Sequence, residues 1–445
     1  MNPVHPNHRQ RRQRLLAAMQ AAGGGLAFLA TAGEVTRNRD THHPYRADSY
    51  FHYLTGFSEP EAALVLLASD SEQKAILFCR PRDEAMEIWT GVRHGPQAAR
   101  ERFGFDEAWP IDRLDEKLAG WLPGRPALWH AFGRDAGWDG RIARALQAVR
   151  AQSRSGRLAP TVMHDLHAVL DEMRLVKDEH EIALMRRAAE VSALAHRRAM
   201  RATRPGRYEY EIEAELLYEF RRHGCSAPAY PCIVASGENA CILHYPAGER
   251  RLQAGELLLI DAGGEYQGYA GDITRTLPVS GRYEGAAAEI YRLVLAAQQA
   301  AIAAVQPAAS CDAPHEAAQR VLAQGFVDLG LLHGSVDGIL EAGSWKRFFM
   351  HRTSHWLGMD VHDAGEYRLA GGKAGRPLEP GMMLTVEPGC YIRPAGDVPQ
   401  AFWHIGVRIE DDVLVTAEGH EVLTTQAPSA MAEVEAAMRE ENGNV

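Results

Sequence analysis

Four carboxylates set in apolar, strand-like segments constrain this chain more than any other feature. Leu257–Asp261 ends in an acid, 269–276 carries Asp272, 383–392 contains Glu387, and 406–413 contains Glu410. The runs Leu257-Leu258-Leu259-Ile260 and Met383-Leu384 mark these strands as buried. Buried acids need partners. Two carboxylates about 4 Å apart repel by roughly 1 kcal/mol in water, but by roughly 4 kcal/mol at an effective dielectric near 20. A cluster of four is tolerable only with protons, arginines or metal cations, and Arg275 and Arg408 can neutralise only part of it. Residues 264–268 are short and turn-like, which predicts a hairpin with Asp261 and Asp272 at one end. Strand alternation puts Arg408 with Glu410, and Thr385 with Glu387, on shared faces. Any one acid has an ordinary explanation: Asp261 as a turn residue, Glu410 as a surface acid beside Asp411 and Asp412. Four together are harder to dismiss.

The histidines point the same way. His351, His355 and His362 fall within residues 351–363. His351 and His355 have the spacing of a zinc-protease helix, but position 352 is Arg where that motif needs Glu. Thr353, Ser354, Gly358 and Val361 also make a poor helix, so the helical reading is rejected. Histidines near strand acids favour a metal or catalytic site over satisfied core histidines.

A chain of 445 residues, 46% apolar, suggests two or three domains with at least one large core. Lys plus Arg number 48 against 58 Asp plus Glu, a net charge of −10 that speaks against nucleic acid or an anionic membrane as partner. Cys79, Cys225, Cys232, Cys241, Cys311 and Cys390 form no CxxC pair and read as reduced thiols, in keeping with a cytoplasmic protein. A basic stretch at 9–14 precedes an apolar run and Ala30-Thr31-Ala32, the outline of a signal peptide. Gln20 and the glycines at 23–25 interrupt it, which predicts instead an amphipathic helix, a glycine turn and a strand over 25–29. No apolar run approaches the roughly 20 residues needed to span a bilayer.

Residues 1–175 alternate strand-like and helix-like segments, an α/β pattern without a catalytic constellation or nucleotide motif. A second domain, 176–445, is predicted to open on a helix, because Asp178 and Glu181 have capping-box spacing ahead of an apolar stripe. Helices over 209–223, 286–305 and 313–329 separate strand-rich runs, so this domain reads as α+β with a mainly antiparallel sheet.

The order Asp261, Asp272, His355, Glu387, Glu410 resembles the five-ligand set of the pita-bread metallopeptidases, which include methionine aminopeptidase, prolidase and aminopeptidase P. Residues 353–363, Thr-Ser-His-Trp-Leu-Gly-Met-Asp-Val-His-Asp, are similar to the proline-peptidase signature, with Arg352 where glycine is common. The eleven-residue spacing of the two aspartates and the stretch Val386-Glu387-Pro388-Gly389 also match. Residues 33–38 and 53–61 resemble the N-terminal domain of the bacterial aminopeptidase P group in particular. The resemblance covers nearly the whole chain.

It implies two divalent metal ions, with Mn²⁺ suited to four carboxylates and one imidazole. Asp272 and Glu410 would be shared by both metals, Asp261 would complete one site, and His355 and Glu387 the other. Such metals lower the pKa of a shared water from about 15.7 toward neutrality, supplying hydroxide. Glu387 would also shuttle the proton. His362 and His244 would stabilise the scissile carbonyl, while His351, Tyr391 and Arg408 would line a proline pocket. Arg408 would also orient Asp261. Trp89, in a domain concerned with oligomerisation and substrate access, would reach a neighbouring subunit, implying a homo-oligomer, dimer or tetramer.

The expected activity is hydrolysis of the N-terminal Xaa-Pro bond of peptides with proline second. A prolidase, restricted to Xaa-Pro dipeptides, shares every ligand, and the N-terminal domain is what favours the aminopeptidase. A pseudo-peptidase binding module, or a metal-free creatinase-like hydrolase, would be expected to lose ligands that this chain keeps.

Overall fold

The computed structural model describes residues 7–440. The chain divides into two compact units, Met1–Asp171 and Glu172–Val445.

In the first unit a helix, Asn7–Ala21, leads through the glycines at 23–25 into strand Gly25–Ala30. A Cβ on Gly25 would lie 2.3 Å from the Ala127 carbonyl oxygen, and its φ of +131° suits glycine alone. The basic stretch that outlines a signal peptide is structural here. The Arg12 guanidinium is buried and donates to the carbonyls of Leu54, Phe103 and Gly104 at 2.9, 3.0 and 2.7 Å. The six-stranded mixed sheet runs Glu107–Pro110, Glu72–Cys79, Ala63–Ser69, Gly25–Ala30, Ala127–Trp129, Val162–His164. Its central strands are apolar throughout because helices cover them. Leu26, Phe28, Val65 and Ile76 pack with Leu114, Leu118, Ile142 and Leu146 from those helices.

The second unit opens on helix Glu179–Ala202, and its capping box forms as the sequence predicts: Asp178 accepts from the Glu181 amide, and Glu181 accepts from that of Asp178. Helices Glu209–Arg222, Gly285–Ala303 and Ala313–Asp328 follow in the expected places. Every strand pairing in this unit is antiparallel. Leu258, Ile260, Leu277, Val294, Phe326, Leu384 and Val413 share its main core.

The acid-bearing strands differ from expectation in one consistent way. Each of 269–276, 383–392 and 406–413 is two strands, not one. Asp272 lies between Tyr269–Ala270 and Thr274–Pro278, Glu387 between Met383–Val386 and Gly389–Ile392, and Glu410 between Ile405–Arg408 and Asp411–Val415. The expected turn at 264–268 holds a strand of its own, Gly264–Tyr266, and the chain reverses at Gln267 and Gly268, both with positive φ. The result is two broken hairpins. Below its break, Leu257–Asp261 pairs with Thr274–Pro278; above it, Gly264–Tyr266 pairs with Tyr269–Ala270. In the other, Met383–Val386 pairs with Asp411–Val415, and Gly389–Ile392 with Ile405–Arg408. Breaks free the acids from the strict alternation of a strand. The Glu410 amide crosses between hairpins, donating to the Thr274 carbonyl at 3.1 Å.

The first break requires Gly263, whose added Cβ would sit 1.6 Å from the Gly271 carbonyl oxygen. Gly263→Ala should therefore cost about 3 kcal/mol of stability. Gly396→Ala, which meets nothing within 4 Å, should stay within about 0.5 kcal/mol. Equal unfolding midpoints for the two variants in guanidinium would contradict this account of the break.

Candidate active site

The irregular segment 353–357 runs beside strand Met383–Val386. The Thr385 amide donates to the His355 carbonyl at 3.0 Å and the Glu387 amide to the Thr353 carbonyl at 2.8 Å, which sets His355 beside Glu387. The rest of the segment is pinned from below, where Asp363 accepts from Lys177 at 3.0 Å and from Arg174 at 2.5 Å. No helix forms over 351–363, as the sequence predicts.

All the acids are drawn inward. Asp261, Asp272 and Glu410 are at most 9% exposed, and Asp411 and Asp412 are buried too, so the surface reading of Glu410 fails. Ligand atoms of Asp272, His355 and Glu410 lie within 4.8 Å of one another. His355 Nε2 is 3.6 Å from Asp272 Oδ2 and 3.5 Å from Glu387 Oε1. His355 Nδ1 is 3.0 Å from the Trp356 carbonyl oxygen, which can only accept, so Nδ1 carries the proton and Nε2 keeps a lone pair toward the acids. Burial lowers this imidazole to a pKa of about 4, so the ring is neutral and brings no positive charge.

Neutralisation by arginine is less than the sequence allows. Arg408 pairs with Asp261 at 2.7 Å. Arg275, by contrast, is spent on the carbonyls of Thr274, Glu410, Ala427 and Pro428 and on the carboxylate of Asp411. Among the described residues Asp272, Glu387 and Glu410 have no Lys or Arg in an ion pair. Burial above all, then the charges of Asp261 and Asp412, holds Asp272 well above the usual carboxylate range. Burial, then Asp272 and Glu387, does the same to Glu410. Glu387 is pushed up to about 8 by burial, against the pull of Arg408. The buried carboxylates of Asp272 and Glu410 and the half-buried one of Glu387, beside a neutral imidazole with an inward lone pair, form a hard, oxygen-rich donor set that fits divalent cations.

A second network adjoins the acids. Arg408 donates to Thr274 Oγ1 at 3.1 Å and to Tyr391 Oη at 2.9 Å, and Tyr391 lies 2.8 Å from His351 Nε2. His351 Nδ1 is 2.7 Å from the Arg352 carbonyl oxygen and so is protonated, which makes the Tyr391 hydroxyl the donor to Nε2. His362 is solvent-exposed, yet its ring meets that of His355 edge-on at 4.3 Å. His244 is also exposed, past the turn Gly237–Cys241, and among the described residues no hydrogen bond or ion pair ties it to the acids. Trp89 belongs to the first unit, 83% exposed on helix Glu84–Thr90.

Residues 183–417 match the model of metallopeptidase family M24, and residues 8–129 match that of the aminopeptidase P N-terminal domain. The chain belongs to metallopeptidase family M24. It is 46% identical over 430 residues to the Xaa-Pro aminopeptidase of Escherichia coli K12, covering 96% of each chain. To Xaa-Pro aminopeptidase 1 of Streptomyces coelicolor it is 36% identical, over 94% of this chain and 85% of that one. Among solved structures, proline aminopeptidase P II from Yersinia pestis aligns with a TM-score of 0.94 at 47% identity, covering 97% of this chain and 98% of that one. Aminopeptidase PepP of Pseudomonas aeruginosa aligns at 0.95 with 46% identity, covering 98% and 99%. The fold is thus the pita-bread metallopeptidase domain behind an aminopeptidase P N-terminal domain.

In this M24 chain the sequence reading missed Tyr230. Its hydroxyl sits between the aspartates, 2.6 Å from Asp261 Oδ1 and in hydrogen-bond contact with Asp272 Oδ1. It stands three residues before Ile233, the register partner of Asp261, so only the strand pairing could have revealed it. Thr274 was missed as well; its hydroxyl donates to Glu410 Oε2 at 2.5 Å and receives Arg408 Nε.

Folded-state values above the unfolded ones mean that the metal-free protein is stabilised while these acids keep their protons. For Glu387 that contribution is fully present below the ordinary value of 4.5 and is lost as pH rises through about 8. The melting temperature of metal-free protein is expected to fall between about pH 4.5 and pH 8, and saturating Mn²⁺ to raise it most at the alkaline end, where cations replace protons. Differential scanning calorimetry with and without metal decides it. A metal-free melting temperature that climbs across that interval would contradict the assignment.

Proposed function

We propose that this M24 chain is a proline-specific aminopeptidase, hydrolysing the bond between the first residue of a peptide and a proline in second position. The observation that carries the reading is the convergence of Asp261, Asp272, His355, Glu387 and Glu410 on one buried site, in a chain whose N-terminal domain is of the aminopeptidase P type. The chain's likeness along its length to proteins named Xaa-Pro aminopeptidase supports it over a dipeptidase.

Asp272 and Glu410 would hold two divalent cations in common, with Asp261 completing one site and His355 and Glu387 the other; Mn²⁺ suits this donor set. When bound, such cations supply a water acidic enough to attack at neutral pH and polarise the scissile carbonyl. Tyr230 and Arg408 fix the two oxygens of Asp261 so that its remaining lone pairs face the site. Glu387 accepts the proton of the attacking water and returns it to the proline nitrogen as the C–N bond breaks. That group must leave as an amine, because the amide nitrogen is too poor a leaving group unprotonated. His362, against His355, and His244 would donate to the carbonyl oxygen as it gains charge. His351, Tyr391 and Arg408 would form the wall for the proline ring, and their chain of hydrogen bonds stiffens it.

Trp89 and its exposed neighbours Ile88 and Val92 fit a homo-oligomer, dimer or tetramer, in which Trp89 reaches a neighbouring subunit's site. The N-terminal domain, 1–175, would then govern assembly and substrate access, with catalysis in 176–445. Six buried free cysteines accord with a cytoplasmic location.

Purified protein with added Mn²⁺ should cleave Xaa-Pro-Yaa at least about tenfold better, in kcat/KM, than Xaa-Pro with the same Xaa. A preference for Xaa-Pro would make it a dipeptidase. His362→Ala should lower kcat by a factor on the order of 10² to 10³ with metal content retained. Loss of metal instead of kcat, read by elemental analysis, would move His362 among the ligands.

A further inference from the structure

One wholly buried carboxylate lies outside the acid cluster and has no part in the chemistry above. Glu209 begins helix Glu209–Arg222, and among the described residues it forms no ion pair with arginine, lysine or histidine. Four hydrogen bonds satisfy it instead. Its Oε1 accepts from the Ser236 amide and hydroxyl, both at 2.7 Å, and from Asn239 Nδ2 at 3.2 Å. Its Oε2 accepts from Tyr245 Oη at 3.0 Å. Ser236 Oγ accepts in turn from Arg250 Nη1 at 2.8 Å, so a guanidinium supports the carboxylate through one hydroxyl. The helix N-terminus favours the negative charge as well.

All these donors belong to one loop. Ser236 ends strand Ile233–Ser236, Asn239 lies in the turn Gly237–Cys241, and Tyr245 directly follows His244. The helix backbone grips the far end: the Glu209 amide donates to the Arg250 carbonyl at 3.1 Å and the Tyr210 amide to that of Gly248 at 3.2 Å. Glu209 thus ties the loop on both sides of His244. The loop itself lies against the site. Leu243 and Tyr245, which flank His244, pack on a cluster containing Ile233, Leu259 and Tyr391. Ile233 faces Pro246 on one side and Asp261 on the other. A Cβ on Gly406, in the strand that ends at Arg408, would meet the Ala240 carbonyl oxygen at 2.3 Å.

We infer that Glu209 is a positioning residue: by gathering Ser236, Asn239 and Tyr245 on one carboxylate, it fixes the loop that presents His244 to the scissile carbonyl. Among the described residues the His244 side chain makes no hydrogen bond or ion pair, so its place is set by its neighbours in the chain. A donor to a developing oxyanion is effective only when held in place before the charge appears. The inference rests on the aminopeptidase reading and adds to it the side chain that orders the carbonyl donor.

The test uses the full chain with Mn²⁺ and an Xaa-Pro-Yaa substrate. Tyr245→Phe, which removes one donor and keeps the ring, should lower kcat about fivefold and leave KM within about twofold. Glu209→Ala should lower kcat by a factor on the order of 10². Glu209→Gln should recover most of that loss, because its amide oxygen can keep the Oε1 contacts while its nitrogen donates to Tyr245 Oη. The deciding measurement repeats Tyr245→Phe in a His244→Ala background. There it should have no further effect on kcat, because the group it positions is gone, whereas a merely structural loss would recur in full. Should Glu209→Ala not fold, Tyr245→Phe decides alone, with its melting temperature and metal content as controls. A wild-type kcat in Tyr245→Phe, an equal loss in both backgrounds, or wild-type turnover by His244→Ala overturns the proposal and leaves the aminopeptidase reading intact. No cleavage of the peptide by wild type would sink both.

Discussion

The structure depends on negative charge buried without enough internal positive charge to balance it. Desolvating one carboxylate costs several kcal/mol unless it is paired, protonated or bound to a cation. This chain brings Asp261, Asp272, Glu387 and Glu410 together and provides one guanidinium, that of Arg408, for Asp261 alone. The nearest histidine is neutral, and Arg275, though buried among these strands, is used up on backbone carbonyls and Asp411. A fold so arranged is incomplete as a polypeptide. It either holds protons on its acids or holds metal, and the second choice couples stability to chemistry.

The remainder of the C-terminal unit is arranged to keep that cluster rigid. Two antiparallel hairpins supply the acids, and each is interrupted where an acid must leave the pleat. The interruptions cost hydrogen bonds that are recovered across the gap, as when the Asp272 amide donates to Asp412 and the Glu410 amide to Thr274. Gly263 allows the two strands of the first hairpin to approach at the break closer than any side chain would permit. Arg408 joins the parts, touching Asp261, Thr274 and Tyr391 and, through Tyr391, His351. A disturbance at His351 or Tyr391 is thereby passed to Asp261 through direct hydrogen bonds.

The sequence alone was enough to locate the five clustered residues, because their types are unusual in apolar strands and their order matches a family. It was also enough for the helix capped at Asp178, since capping is a local interaction between residues three apart. Local pattern could not reveal that the three acid-bearing strands are broken, because a break depends on which strand lies opposite and where it diverges. Nor could it reveal Tyr230 or Thr274, a tyrosine in a loop and a threonine in a strand like many others. Their roles arise from register, Ile233 facing Asp261 and Thr274 facing Asp261 from the other side. The same holds for the arginines: both were visible as candidate counter-charges, and only packing decided that Arg408 reaches an acid of the site while Arg275 holds the backbone behind it. Residue chemistry and short-range spacing are written along the chain, but partners distant in sequence are chosen by the tertiary fold, and it is those partners that turn four acids into a site.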